Sequence, residues 1–472
     1  MKRTLKNLLQ NSRSINFLTS DTSTNKNWSD SISLNLLIYI ISLPSIFINL
    51  VYSKLSNLFD SSYFINFFKF IGSNLHYLIG MSLIFIFIIP DHIWSNLYAV
   101  ILIALIAILY YLNKGLSKNP KLELEKLDYS LVIFFTTLFI AGLTSVFLKE
   151  SLNQLIFYMG TFVLISIIIL EIDSEKKLYD LTKFIVLSAV LTSIYGLYQW
   201  KIVGIAVNPS LTDLTINQNL GARVFSSFGN PNVYGEFLVL SIPFFFPIIL
   251  KTKKMVYKVI LAISSFPVLL MLFKTGSRSA WVAFAVCIFI FVFLWNKKYI
   301  PVLIVLGLAA IPFLPSSIYN RLMTIFNPND TSLKYRQMIM GPALVMLRDY
   351  WVTGVGLGSK TVALIYQRYK SFGLTTVAHT HNLFIQLWLE AGILSILSFI
   401  IFMFRLAKNS YIRVNKFKNS KLSLIISAAL ASTLGILVMG LADYVWFYNR
   451  IFLMFWINIS IVLCALNLKQ GQ

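Results

Sequence analysis

Apolar runs of roughly twenty residues recur along almost the whole chain, and no other feature restricts its fold so tightly. A run of that length crosses a bilayer as a helix. Lipid offers no partner to backbone N–H and C=O groups, so a crossing segment must satisfy them within itself. Composition agrees: 57% of the 472 residues are hydrophobic and 12% are charged, with a mean hydropathy of +0.75. The expected fold is therefore an all-α polytopic integral membrane protein. Spans are expected near 77–90, 95–112, 129–148, 152–171, 180–200, 233–250, 256–273, 278–295, 299–314, 382–406, 422–441 and 446–467, about twelve in all. The first and the ninth are the shortest.

Lys and Arg set the orientation, because cationic loops stay on the cytoplasmic side. With the N-terminal segment inside, 27 of the 40 Lys and Arg lie on inner segments and 13 on outer ones. Seven of those 13 fall in one stretch, 315–381. The net charge of +22 then belongs to loops facing anionic lipid, and no nucleic-acid partner is expected. Two outer loops are sizeable, 201–232 and 315–381, the second standing before the tenth span. Residues 1–76 read as a cytoplasmic and interfacial segment without a cleavable signal pattern. Within it, 53–76 mixes Phe64, Phe67, Phe68 and Phe70 with Asn66 and Lys69, as an interfacial amphipathic helix does. Residues 32–52 are apolar but hold Asn35, Pro44 and Asn49, and are ambiguous between an extra span and a surface or re-entrant helix. One more crossing would put Met1-Lys2-Arg3 outside, which argues against a full span. Residues 77–472 read as a single transmembrane domain.

Long polar segments between spans are uncommon and tend to carry function. The segment from 315 ends in Ala378-His379-Thr380-His381-Asn382, where an apolar run begins. Two histidines at the mouth of a span, with Asn382 as a helix cap and Glu390 two turns deeper, suit a general base. Cys287 and Cys464 both sit in apolar runs, so neither a disulfide nor a thiolate metal cluster is expected. His76 and His92 are remote in sequence, and no metal or other cofactor is expected. Arg278, in Lys274-Thr275-Gly276-Ser277-Arg278, opens a span where a charge should face the bundle or a wet cavity. Arg223 stands before the Asn230-Pro231-Asn232 turn, and Arg336 before an apolar helical stretch. Gly354-Val355-Gly356-Leu357-Gly358 lacks the strand–turn–helix context of a dinucleotide site and reads as a turn.

Guanidinium groups bind phosphate with paired, charge-assisted bonds. Arginines and a histidine on the outer face of a membrane bundle therefore point to a lipid phosphate. In that chemistry the histidine deprotonates an attacking hydroxyl and the arginines stabilise a departing diphosphate.

At these residues the chain resembles the O-antigen ligase/polymerase family of bacterial polysaccharide assembly. The family pattern is His, then Asn, Ser or Gln, then nine residues, then Gly; His381-Asn382 followed by Gly392 matches it. Ser395 stands where the family often has Gly, Thr or Tyr, and Val282 where its arginine motif has Leu four residues after Arg278. The stretches Arg223…Asn230-Pro231-Asn232 and Arg336…Gly354-Val355-Gly356 also look like family landmarks. Motifs cover about 215–400, and the topology most of the chain.

The resemblance implies a GT-C-like, metal-independent, inverting glycosyltransferase in the cytoplasmic membrane with an extracytoplasmic active site. Its donor would be an undecaprenyl-diphosphate-linked glycan and its acceptor a lipid, a wall polymer or another glycan. His381 would be the general base and Arg278, Arg223 and Arg336 would hold the diphosphate. His379, Asn382 and Glu390 would line the site. Membrane lipids, a flippase and a chain-length regulator are the candidate partners. Ligase and polymerase share this donor site. The rival class is a transporter or flippase of lipid-linked sugars, which tends to place such charges mid-membrane with internal repeats; none is visible. A scaffold of a wall-synthesis complex is a third choice and would need neither His381 nor Arg278.

Overall fold

Three helical segments form the buried centre. The computed structural model describes residue 28 and residues 30–55, 62–205, 222–326, 331–370 and 377–469. The polar N-terminal stretch, part of the expected 201–232 loop and residues 371–376 of the long segment lie outside the described residues. In chain order the helices are α1 (Ile32–Lys54), α2 (Tyr63–Ser73), α3 (Leu75–Ile88), α4 (Asn96–Gly115), α5 (Tyr129–Leu143), α6 (Leu148–Glu171), α7 (Glu175–Tyr198), α8 (Pro231–Ser241) and α9 (Phe245–Lys251). They continue as α10 (Met255–Lys274), α11 (Arg278–Trp295), α12 (Ile300–Ala310), α13 (Ser316–Met323), α14 (Thr331–Tyr350), α15 (Ser359–Tyr366), α16 (Leu383–Lys416), α17 (Lys421–Met439) and α18 (Asn449–Asn467). No strand occurs among the described residues. In α18, 89% of the apolar window is buried, and 83% in both α17 and the α8–α9 segment, against 17% in α1 and α10. The first three are the core and the others wrap it.

The protein is a polytopic, all-helical membrane protein. Among the described residues, ten helices are long and apolar enough to cross a bilayer, or eleven if the bent pair α2–α3 is one span. Nine correspond to expected spans. The tenth is α1, a continuous helix of 23 residues, whereas the charge argument weighed against a full crossing there. Its polar residues explain the ambiguity. Ser42 Oγ accepts from Leu122 N at 2.9 Å, Ser45 Oγ donates to Pro120 O at 2.6 Å, and Asn49 Nδ2 donates to Gly115 O and Ser117 O. They bind the α4–α5 connection rather than water.

The other three expected spans differ for local reasons. The segment 77–90 falls on α3, a helix of 14 residues that meets α2 at a 68° bend just before it. At 129–148 the helix stops at Leu143, where Ser145 and Val146 turn to bond Val355 O. At 299–314 it breaks into α12 and a 3₁₀ turn at Ile311-Pro312-Phe313, because proline at 312 cannot continue the ladder. No residue of α12 is buried.

The helix from Leu383 runs 34 residues but is broken at Gly392, which has φ 73°. A Cβ there would lie 2.1 Å from Val352 O, so only glycine fits. The break lets Ile393 N donate to Trp351 O at 3.0 Å and seats the glycine-rich turn against the helix. Val355 N and Gly356 N donate to Leu389 O and Glu390 O. The turn is a packing device, in line with the reading that set aside a dinucleotide site.

Candidate active site

His381 lies between the polar segment and α16. Asn382 caps that helix, its Oδ1 accepting from Phe384 N and Ile385 N at 3.0 Å. Its Nδ2 donates to Leu441 O at 3.0 Å, and Leu383 N to Gly440 O at 2.7 Å. These bonds tie the histidine segment to the turn after α17. That turn carries Asp443, whose Oδ1 lies 3.0 Å from His381 Nδ1. Arg336, on α14, places an Nη 3.7 Å from the other oxygen of Asp443. Its Nε is buried with no hydrogen-bond partner among the described residues.

His379 stacks edge-on to His381, with ring centroids 4.1 Å apart, and its Nδ1 accepts the His381 backbone N–H at 3.2 Å. Phe447 packs 4.7 Å from the His379 ring. Burial first, then the charges of His381 and Arg336, pull the His379 imidazole down to about 4, against the opposing pull of Asp443. Burial alone would raise the Asp443 carboxyl. The hydrogen bond and charge of His381, with Arg336 and His379 behind them, outweigh it and hold Asp443 well below the usual carboxylate range.

Glu390 sits beneath as a brace. It takes Gln386 Nε2 and the Tyr444 hydroxyl on one oxygen, both at 2.9 Å, and Gly358 N on the other at 3.0 Å. Gln386 Oε1 in turn accepts Thr380 N at 2.9 Å. Glu390 thus acts on the histidine segment through Gln386, and its oxygens are engaged within the protein.

A second cluster gathers three arginines around the turn that leads into α11. Arg223 Nε donates to Thr275 O at 2.7 Å and its Nη to Asn232 Oδ1 at 2.5 Å. Arg278 Nη donates to Thr324 Oγ1 at 2.6 Å, and Arg321 Nε to Gly276 O at 3.4 Å. Burial, then the charges of Arg321 and Arg278, lower Arg223 to about 9. It stays protonated at neutral pH while repelled by two neighbours. An anion bound among them relieves that repulsion. Asn230 caps α8 through Asn232 N at 2.8 Å, with Pro231 as first helical residue, and so points Asn232 at Arg223. Because α11 packs along α17 in the opposite direction, its first residue and the turn after α17 share one end of the bundle. Both clusters lie there.

The structure therefore brings His381, His379, Asn382 and Arg336 together, and Arg223 with Arg278 separately. Sequence reasoning missed Asp443 and Arg321. Asp443 had a signal, being the only acidic residue after Glu390 and standing in a short turn between two apolar spans. Arg321 was one of seven cations in its segment, with nothing to single it out. The ligand count for a metal also changes. His379, His381 and Asp443 offer ligand atoms within 4.8 Å of one another, whereas counting only histidine and cysteine left two. The Arg336 guanidinium beside Asp443 opposes a cation there.

Fold and site define a polytopic membrane protein with a histidine–carboxylate pair and an arginine cluster at one end. Residues 238–400 match the family model described as O-Antigen ligase. Over that stretch the chain is similar to the O-antigen ligase domain. The match covers Arg278, Arg321, Arg336, His379, His381, Asn382 and Glu390, while Arg223, Glu236 and Asp443 lie outside it. No curated protein matches the chain.

Proposed function

We propose that the protein transfers a glycan from an undecaprenyl-diphosphate carrier to an acceptor hydroxyl, at the outer face of the cytoplasmic membrane. One observation carries this reading: His381, backed by Asp443, shares an end of the bundle with Arg223, Arg278 and Arg321. Asp443 accepts Nδ1–H, which leaves the Nε2 lone pair of His381 to take the acceptor proton. The acceptor oxygen then attacks the anomeric carbon as the carbon–oxygen bond to the diphosphate breaks. The bonding pair leaves with the diphosphate, whose charge Arg223, Arg278, Arg321 and Arg336 stabilise. A single displacement inverts the anomeric centre, and no metal enters the scheme. Residues 77–472 form the catalytic unit. The charge bias supports an extracytoplasmic site, with a flippase upstream to deliver the donor and a chain-length regulator beside it.

The test uses purified protein in nanodiscs with a lipid-diphosphate oligosaccharide and a chelator, and no other acceptor. A ladder of lengthened lipid-linked products means a polymerase without a metal requirement. Transfer only after lipid or wall acceptor is added means a ligase. Activity lost on chelation and restored by zinc would overturn the metal-free scheme and put an ion on His379, His381 and Asp443. Vectorial movement of the donor without transfer would replace the scheme with a transporter.

A further inference from the structure

Glu236 is a buried carboxyl with no place in the scheme above. It lies in the second turn of α8, four residues after Asn232, and so on the same face of that helix. Asn232 accepts from Arg223, so the face that meets the arginine cluster carries Glu236 one turn deeper. From the other side α8 packs against both α17 and α18, whose connecting turn carries Asp443, and the charge of Asp443 is felt at Glu236. Glu236 thus stands between the arginine cluster and the His381–Asp443 pair.

Its surroundings differ from those of Glu390. At 4% exposure, it makes no hydrogen bond or ion pair among the described residues. Glu390 fills both its oxygens. Yet Glu236 is not one of the side chains whose polar atoms are both sealed and unpartnered, so its carboxyl is not completely enclosed. An inward carboxyl in such a place awaits a hydrogen-bond donor.

We infer that Glu236 is a sugar-binding residue: its carboxyl accepts hydrogen bonds from hydroxyls of the sugar attached to the donor diphosphate. This rests on the transferase reading. With the diphosphate among Arg223, Arg278 and Arg321 and the acceptor hydroxyl at His381, the reacting sugar must occupy the space between, which Glu236 borders. Sugar hydroxyls are donors, and a carboxyl is the side chain best able to accept two of them. Glu236 contributes by orienting the ring, not by proton transfer.

Binding rather than turnover tests this. Wild type, E236Q and E236L in nanodiscs are titrated with undecaprenyl diphosphate, bare or bearing its oligosaccharide, and each variant's elution and melting are compared with wild type. Wild type is expected to prefer the sugar-bearing lipid. Both variants should bind the bare lipid as wild type does, E236L losing roughly 10- to 100-fold on the sugar-bearing form and E236Q less. In turnover assays the loss should appear mainly in KM for the donor. If wild type and both variants show the same preference for the sugar-bearing lipid, Glu236 is no sugar ligand while the transferase reading survives. If wild type binds neither lipid, the reading and the subsite fall together. Should E236L not fold, E236Q decides alone: a full wild-type preference overturns the proposal.

Discussion

His381 holds a left-handed backbone, with φ 50°, a conformation that costs a residue with a β-carbon ~1–2 kcal/mol. Its neighbours enforce it: the His379 ring takes its N–H, Asn382 starts the helix, and Asp443 fixes its ring. His381→Ala removes the base and should cut transfer ~10²–10⁴-fold, with the melting temperature of the purified protein little changed. Asp443→Asn keeps the shape but cannot stabilise the imidazolium, and should fall in the same range. Arg278→Lys should lose activity too, because an ammonium cannot give paired bonds to a diphosphate. The exposed Arg348 is the control, and Arg348→Ala should transfer at close to the wild-type rate. Wild-type activity in His381→Ala would remove the base from the scheme. His379 adds a dependence on pH. Its pKa falls from 6.5 to about 4 on folding, so the unfolded chain takes up the proton first as pH drops. The stability due to neutral His379 is complete above about 6.5 and is lost as pH falls towards 4. Urea unfolding should show that loss, and His379→Gln should flatten it.

Helix breaks place the site, and these were the least legible elements. Apolar runs gave away nearly every crossing, since transfer into lipid depends on composition and length alone. Caps were legible as well: Asn230-Pro231 and Asn382 act on the next two or three backbone N–H groups, so their signal is local. The pairing of His381 with Asp443 spans 62 residues and depends on how α16 and α17 pack, which no local pattern encodes. Likewise Gly392 was visible as part of a motif, but its purpose was not. It breaks α16 so that Val352 and the glycine-rich turn can approach. Gly392→Ala should destabilise the protein by ~1–3 kcal/mol or more, since the new Cβ must displace backbone. Differential scanning fluorimetry in detergent would read this as a lower melting temperature. A melting point equal to wild type would mean that the kink is not obligatory.

Across the molecule, one side chain ties the site end together. Arg450, 2% exposed at the start of α18, donates to Ile89 O, Asp91 Oδ1 and Ser227 O at 2.9–3.0 Å. Its guanidinium also lies 5.0 Å from the Trp94 ring centroid and 4.7 Å from that of Phe228. Arg450→Leu would strand the buried Ser227 carbonyl and the part-buried Ile89 carbonyl, while Asp91, 41% exposed, regains water. The expected cost is ~1–3 kcal/mol, seen as earlier thermal unfolding, with donor binding lost only where unfolding begins.

Below that end the centre is dry. From Ile451 to Ala465, α18 is buried residue by residue, and Asn458 Nδ2 donates to Leu240 O and Ser432 Oγ. The polar end of the bundle therefore gives way to a close-packed apolar centre. A proton taken from the acceptor must leave through the mouth by which the substrate arrived, and the diphosphate must do the same. In the proposed scheme no charge crosses the electric field of the membrane during a turnover. Catalysis should run at the same rate in sealed vesicles whether they are energised or collapsed with an ionophore, drawing only on the bond to the lipid phosphate.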